Sequence, residues 1–199
     1  MDEKKELLEL ILGIRIKNGM KSTLQLALQS ARHYCGYTIG VPFSRKEFDL
    51  RQGGTQLNDE GDMFAAILLY LIALEQLCTL FYDAKHGIEK VLESSFCSKE
   101  EKEAISHLRH CLAHSYGLAI RSESRKTRYL YCIDFHDSTS ILSVTYEESK
   151  NIYNSTVFAI PFILFVEQHI EKIKKEYIDG KLNCNMELEI LKARYTLNV

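Results

Sequence analysis

The chain has 199 residues, 46% of them hydrophobic and 26% charged, with a formal net charge of −2 at pH 7. Such a length and balance fit a single globular domain over residues 1–199 that buries a real core, and they exclude a generally basic protein that coats nucleic acid. Any contact with nucleic acid must therefore rest on a local basic patch.

Apolar positions at Leu7, Leu8, Ile11, Leu12 and Ile14 recur with a helical period and predict a first helix over 3–17. Gly19 interrupts it. Ser22 then caps a second helix that ends near Gly36, with Leu24, Leu26, Ala27, Leu28 and Ala31 on its apolar side. Over residues 37–62 the periodicity dissolves into a loop with a short helix around 44–51; a loop this long is either mobile or functional. Residues 59–84 form the strongest predicted helix. It is apolar nearly all round, so it should be buried on more than one side and suits the centre of a bundle that also meets a second subunit. The next helix spans 98–116, capped by Ser98, with Glu100 and Glu101 in its first turn and Gly117 as terminator. Alternating Tyr, Ile, Val and Thr then predict a β-hairpin, strands 128–135 and 140–146 with a turn at 136–139. A last long helix is expected over 147–178, kinked near Pro161 and stopped near Gly180, followed by a short helix or strand within 182–199.

Cys35, Cys78, Cys97, Cys111, Cys132 and Cys184 are scattered, without a CxxC pair, and most lie in apolar runs. They read as free thiols of a reducing cytoplasm rather than as zinc ligands. The N-terminal stretch is acidic and amphipathic, unlike a signal peptide, and the uncharged stretch Met63–Leu74 is too short to span a bilayer. A soluble, cytoplasmic protein with no membrane partner is expected.

The densest chemistry lies in HLRHCLAHSYGL, His107–Leu118. At about 100° per residue, Ala104, Ile105, Leu108, Cys111, Leu112 and Ser115 share one side of the helix, its predicted core face. Glu103, His107, Arg109, His110 and His114 fall on the other. Arg109 and His114 diverge by about 140° on an ideal helix, so one chain brings their tips together poorly. Two chains packed helix against helix would place an Arg and a His from both copies in one cleft. His110 and His114 have the i,i+4 spacing of zinc-protease ligands, but Cys111 stands where that motif has glutamate, and no neighbouring third ligand or general base completes a site. Neither a metal nor another cofactor is expected.

The pattern R-x4-H, Arg109 to His114, is weak by itself, because chance supplies about 0.3 such matches in a chain of this composition. A solvated helix face explains it as well until its context is added: a histidine after the arginine, Tyr116-Gly117 at the helix end, and a nearly all-apolar helix upstream. With that context, RHCLAHSY resembles the signature of the HEPN domains. The resemblance implies a mainly α fold, an antiparallel helical bundle carrying the β-hairpin near 128–146 as an insertion. It also implies a homodimer that cleaves RNA without metal, as toxins and phage-defence effectors of this family do. The R-x4-H-x-Y variant, matched here by Arg109, His114 and Tyr116, belongs to members paired with a small nucleotidyltransferase as antitoxin.

The residue chemistry fits that implication. Histidine titrates near neutrality, so His114 suits the base that takes the 2′-OH proton and the acid that protonates the 5′ oxygen. The forked guanidinium of Arg109 suits a phosphorane, and His110 either orients these groups or holds substrate. Arg121, Arg125, Lys126 and Arg128 read equally as a phosphate track or as a solvated loop. Glu75, alone in its apolar helix, either pairs with Arg109 or a histidine to shape the site or is a buried polar group serving structure. Tyr116 is either a modification site or an aromatic packed at the helix end. The alternative to catalysis is a HEPN-like module that binds a nucleotide or a partner protein.

Overall fold

The computed structural model describes residues 3–13, 20–43, 59–82, 88, 91–92, 98–115, 119–122, 127–136, 138–187, 190 and 196–198. The described residues are mostly helical, as expected. In chain order they form α1 (Glu3–Leu12), β1 (Met20–Ser22), α2 (Thr23–Cys35), α3 (Asp59–Phe81), α4 (Lys99–Ser115), β2 (Ala119–Ser122), β3 (Thr127–Asp134), β4 (Leu142–Glu147), a 3₁₀ turn (Glu148–Lys150), β5 (Ile152–Phe158), α5 (Ala159–Ile178) and β6 (Thr196–Asn198). The short helix expected around 44–51, and most of the 37–62 loop, fall outside the described residues.

Local chemistry explains where the helices begin and end. Ser22 caps α2, its Oγ accepting from Gln25 N at 2.9 Å, and Gly36 ends it in the left-handed region at φ 68°, where a Cβ would be strained. Ser98 and Glu101 form a reciprocal capping box on α4. Ser98 Oγ accepts from Glu101 N at 3.1 Å, and Glu101 Oε2 accepts from Ser98 N at 2.6 Å.

The core is built around α3. Met63, Ala66, Ile67, Tyr70, Leu71, Leu74, Leu77 and Cys78 are fully buried, in one cluster with Leu7 and Ile11 of α1, Leu24 and Leu28 of α2, Leu108 and Leu112 of α4, and Phe162 and Val166 of α5. α3 is long and apolar enough to cross a membrane, yet 56% of that window is buried inside the protein, as in a core helix. Phe64, Ala65, Leu68, Leu69, Ile72, Glu75, Gln76 and Thr79 are only half-buried. At about 100° per residue they form one continuous stripe along the helix.

The sheet corrects two expectations. Strands near 128–135 and 140–146 exist, but they do not form a hairpin: the four-stranded order is β2-β3-β5-β4. β5 lies between them, parallel to β3 and antiparallel to β4. The predicted helix 147–178 therefore starts at Ala159, and its first dozen residues are the end of β4, the turn and β5. From Asn154 on, exposed Asn154, buried Ser155, half-buried Thr156 and buried Val157 alternate as in a strand, in a β-branched and aromatic run whose apolar residues also fit a helical period. Pro161 is consequently not a kink. It lies in the first turn of α5, where its missing N–H leaves no helical hydrogen bond unmade. Near the C-terminus a strand forms: β6 pairs antiparallel with β1, Lys21 opposite Leu197.

Candidate active site

α4 presents its predicted face to the core. Ala104, Ile105, Leu108, Cys111 and Leu112 are all 1% exposed or less. Burial holds the Cys111 thiol protonated, with its pKa pushed up to about 11, so it offers no thiolate nucleophile or metal ligand near neutrality. With the core face fixed, Arg109 and His107 project from opposite flanks of the helix.

On one flank Arg109 meets Glu75 of α3. Arg109 Nε donates to Glu75 Oε2 at 2.8 Å, and Nη2 donates to the same oxygen. The two side chains are 26% and 31% exposed, so the contact is neither a loose surface pair nor a sealed one. Arg109 Nη1 has no partner among the described residues, which leaves one edge of the fork for another oxygen. Beside Glu75 on the stripe, Gln76 Oε1 is buried with no hydrogen-bond partner among the described residues. On the other flank the His107 ring centroid lies 4.2 Å from that of Tyr129 on β3, and His110 is exposed.

Of the remaining candidates, His114 lies in the last turn of α4, but its side chain is outside the described residues. Tyr116, Arg125 and Lys126 lie outside them altogether. Arg121 is placed by its backbone on β2, opposite the exposed Arg128 on β3. The structure thus brings Glu75 to Arg109 and ranges Arg121 with Arg128. Among the described residues no three His, Cys, Asp or Glu side chains converge as a metal site. A groove of about 480 Å³ is formed by α1 and α5, not by α3 or α4, with Lys5, Leu8, Glu9, Leu12, Lys174 and Ile178 in its walls.

Two side-chain clusters have no counterpart in the sequence reading. In the first, Arg32 of α2 makes a two-toothed ion pair with Glu167 of α5, Nε to Oε1 at 2.7 Å and Nη2 to Oε2 at 2.9 Å; Tyr70 of α3 donates to Oε1 at 2.7 Å. All three are buried, and burial first, then the neighbouring Cys35 and Glu167, raises the Tyr70 pKa so that the phenol stays a donor. Lone charges inside apolar runs, Arg32 in LALQSARHYC and Glu167 in FILFVEQHI, were the available signal. The second is a row of tyrosines across the sheet, hinted at by tyrosines on alternate residues of β3.

No protein-family model, curated protein or solved structure matches the chain.

Proposed function

We propose that the protein is a metal-independent endoribonuclease of HEPN type, cytoplasmic and homodimeric, acting as a toxin or phage-defence effector. One observation carries the reading: the arginine of the R-x4-H pattern sits on the seam between α3 and α4, held by Glu75 through its Nε side, with no partner for Nη1 among the described residues. An arginine oriented in this way is pre-organised to receive a phosphate oxygen. In the proposed reaction the 2′-OH proton passes to His114 as base and the 2′ oxygen attacks phosphorus. The P–O5′ bond breaks, a second histidine protonates the leaving 5′ oxygen, and a 2′,3′-cyclic phosphate and a 5′-OH remain. Arg109 steadies the phosphorane, and His110 orients it or holds substrate.

The homodimer places the second histidine, since Arg109 and His114 of one helix diverge. The half-exposed stripe of α3 supports this arrangement, and a donor from a second chain would satisfy Gln76 Oε1. Arg121, Arg125 and Lys126 serve as the phosphate track. A small nucleotidyltransferase that modifies Tyr116 would be the fitting antitoxin.

The same ion pair favours a second reading, a non-catalytic nucleotide- or protein-binding module, because a carboxylate on the guanidinium competes with phosphate. Purified protein incubated with RNA in EDTA separates the two. Cleavage leaving cyclic phosphate ends supports the nuclease. Intact RNA with a folded protein supports the binding module, and activity only on adding metal contradicts both.

A further inference from the structure

The strands that follow α4 carry charge on the face turned away from it. Tyr129 and Tyr131 of β3 are buried on the α4 side, where Tyr131 Oη donates to Ala104 O at 2.9 Å and the Tyr129 ring lies against His107. The alternate residues Arg128, Leu130 and Cys132 are exposed on the other face. β2 pairs with β3 so that Arg121 stands opposite Arg128, and residues directly opposite share a face. Two arginines separated by a turn in sequence thus become neighbours, with Cβ atoms about 5 Å apart.

Like charges directly opposite each other weaken a strand pair. A carboxylate would relieve the repulsion, but among the described residues Arg128 has none. The other two arginine side chains among the described residues are each held by a glutamate, Arg32 by Glu167 and Arg109 by Glu75. On the outer face, the row through Arg128 continues to Ile152 of β5 and Glu147 of β4. Glu147 is two strand spacings away, about 9–10 Å, and its carboxylate already holds Lys150 at 2.8 Å. The next row, Leu130, Asn154 and Thr145, is uncharged. A chain of net charge −2 thus keeps two arginines side by side at a cost in stability. An anion seated between them would replace that repulsion with attraction.

Position indicates which anion. β2 starts at Ala119, just after α4 ends at Ser115, and α4 packs on both β2 and β3. Along the chain, Arg121 is therefore at most about 24 Å from His114. β2 is also an edge strand of the sheet, so a single strand leaving the end of α4 can pass round that edge onto the outer face. Arginine forks bind phosphate oxygens through charge-assisted hydrogen bonds, and an RNA strand carries a phosphate at every step.

We propose that Arg121 and Arg128 together hold one backbone phosphate of single-stranded RNA on the outer face of the β2–β3 pair, away from the reacting nucleotides. The proposal rests on the RNA reading and makes this strand pair the surface over which the bound RNA leaves the candidate active site.

The test uses the full chain and short fluorescent 2′-O-methyl RNA oligomers, which cannot be cleaved by 2′-OH attack, with binding read by anisotropy over a range of salt concentrations. Arg121→Gln and Arg128→Gln should each weaken binding by about 10-fold, as loss of a hydrogen bond to a charged group does. Each should leave the salt slope near the wild-type value, because the remaining arginine still neutralises the shared phosphate. The double variant should lower the slope by about 0.7, the share of one phosphate on a single strand. Arg128→Lys, which keeps the charge but not the fork, should keep the slope and lose affinity. Wild-type affinity and slope in the double variant would overturn the site and leave the RNA reading standing. A fall of about 0.7 in each single variant would mean two separate phosphates and overturn the shared one. Failure of the wild type to bind any oligomer would overturn both the site and the RNA reading. Binding of an acidic peptide that is lost in the double variant, with RNA binding intact, would reassign the pair to a protein partner.

Discussion

Replacing Glu167 by Gln should be the most damaging conservative change in the chain. The carboxylate is 3% exposed and receives Nε and Nη2 of Arg32 and the hydroxyl of Tyr70. The amide keeps the shape but leaves a buried guanidinium with no counter-charge, which costs about 3–5 kcal/mol. For a chain of this size that corresponds to a fall in Tm of about 6–20 °C. Tyr70→Phe deletes one hydrogen bond to a charged acceptor and should cost less, about 1.5–3 kcal/mol. Removing both charges, in Arg32→Met with Glu167→Met, should recover most of the loss, since no ion is then stranded. Urea unfolding followed by circular dichroism gives all the differences. If the double variant is no more stable than Glu167→Gln, or if Glu167→Gln costs less than about 1 kcal/mol, stranded charge is not what this cluster guards against. The cluster matters for the site because it joins α2, α3 and α5 through Tyr70, on the helix whose next turn holds Glu75.

Glu75→Ala should lower RNA cleavage by about 10-fold, less than loss of Arg109, because the guanidinium remains but its orientation does not; equal loss in both variants would make Glu75 more than a positioning residue. Stability should fall with acid partly through His169, whose pKa is lowered by burial, partly offset by its contact with the Phe165 carbonyl. Its contribution is complete above the unfolded value near 6.5 and is lost as pH falls from there through the folded pKa, so His169→Leu should flatten the stability difference between pH 7.5 and 5.5, and an unchanged difference would refute the assignment. Light scattering at micromolar concentration should give twice the 23.0 kDa chain mass; a monomer would remove the composite site.

What the sequence made legible was local. Ser22 and Gly36 marked α2, Ser98 with Glu101 marked the start of α4, and its 3.6-residue period identified the buried face, because caps and amphipathic stripes depend on residues a few positions apart. The sheet was not legible in the same way. Strands β3 and β4 could be read from alternation, but nothing within either strand says that β5 slots between them. Run on into the apolar start of α5, β5 itself read as helix. The site divided along the same line. Arg109 and its helix were found from spacing, and Glu75 was singled out with its partner open between Arg109 and a histidine. Arg32 and Glu167 are 135 residues apart, and Tyr129, Tyr153 and Tyr146 become neighbours only through strand register.

The most direct test of the proposed nuclease is subunit complementation. Arg109→Ala and His114→Ala, assayed separately in EDTA, should each lose about 100-fold or more of the wild-type cleavage rate. Mixed under conditions in which subunits exchange, the two inactive proteins should regain part of it, because a heterodimer retains one Arg109 and one His114 as base, with water protonating the 5′ oxygen in place of the second histidine. Cleavage at the wild-type rate by either single variant would contradict the account, since that residue would then have no part in the chemistry.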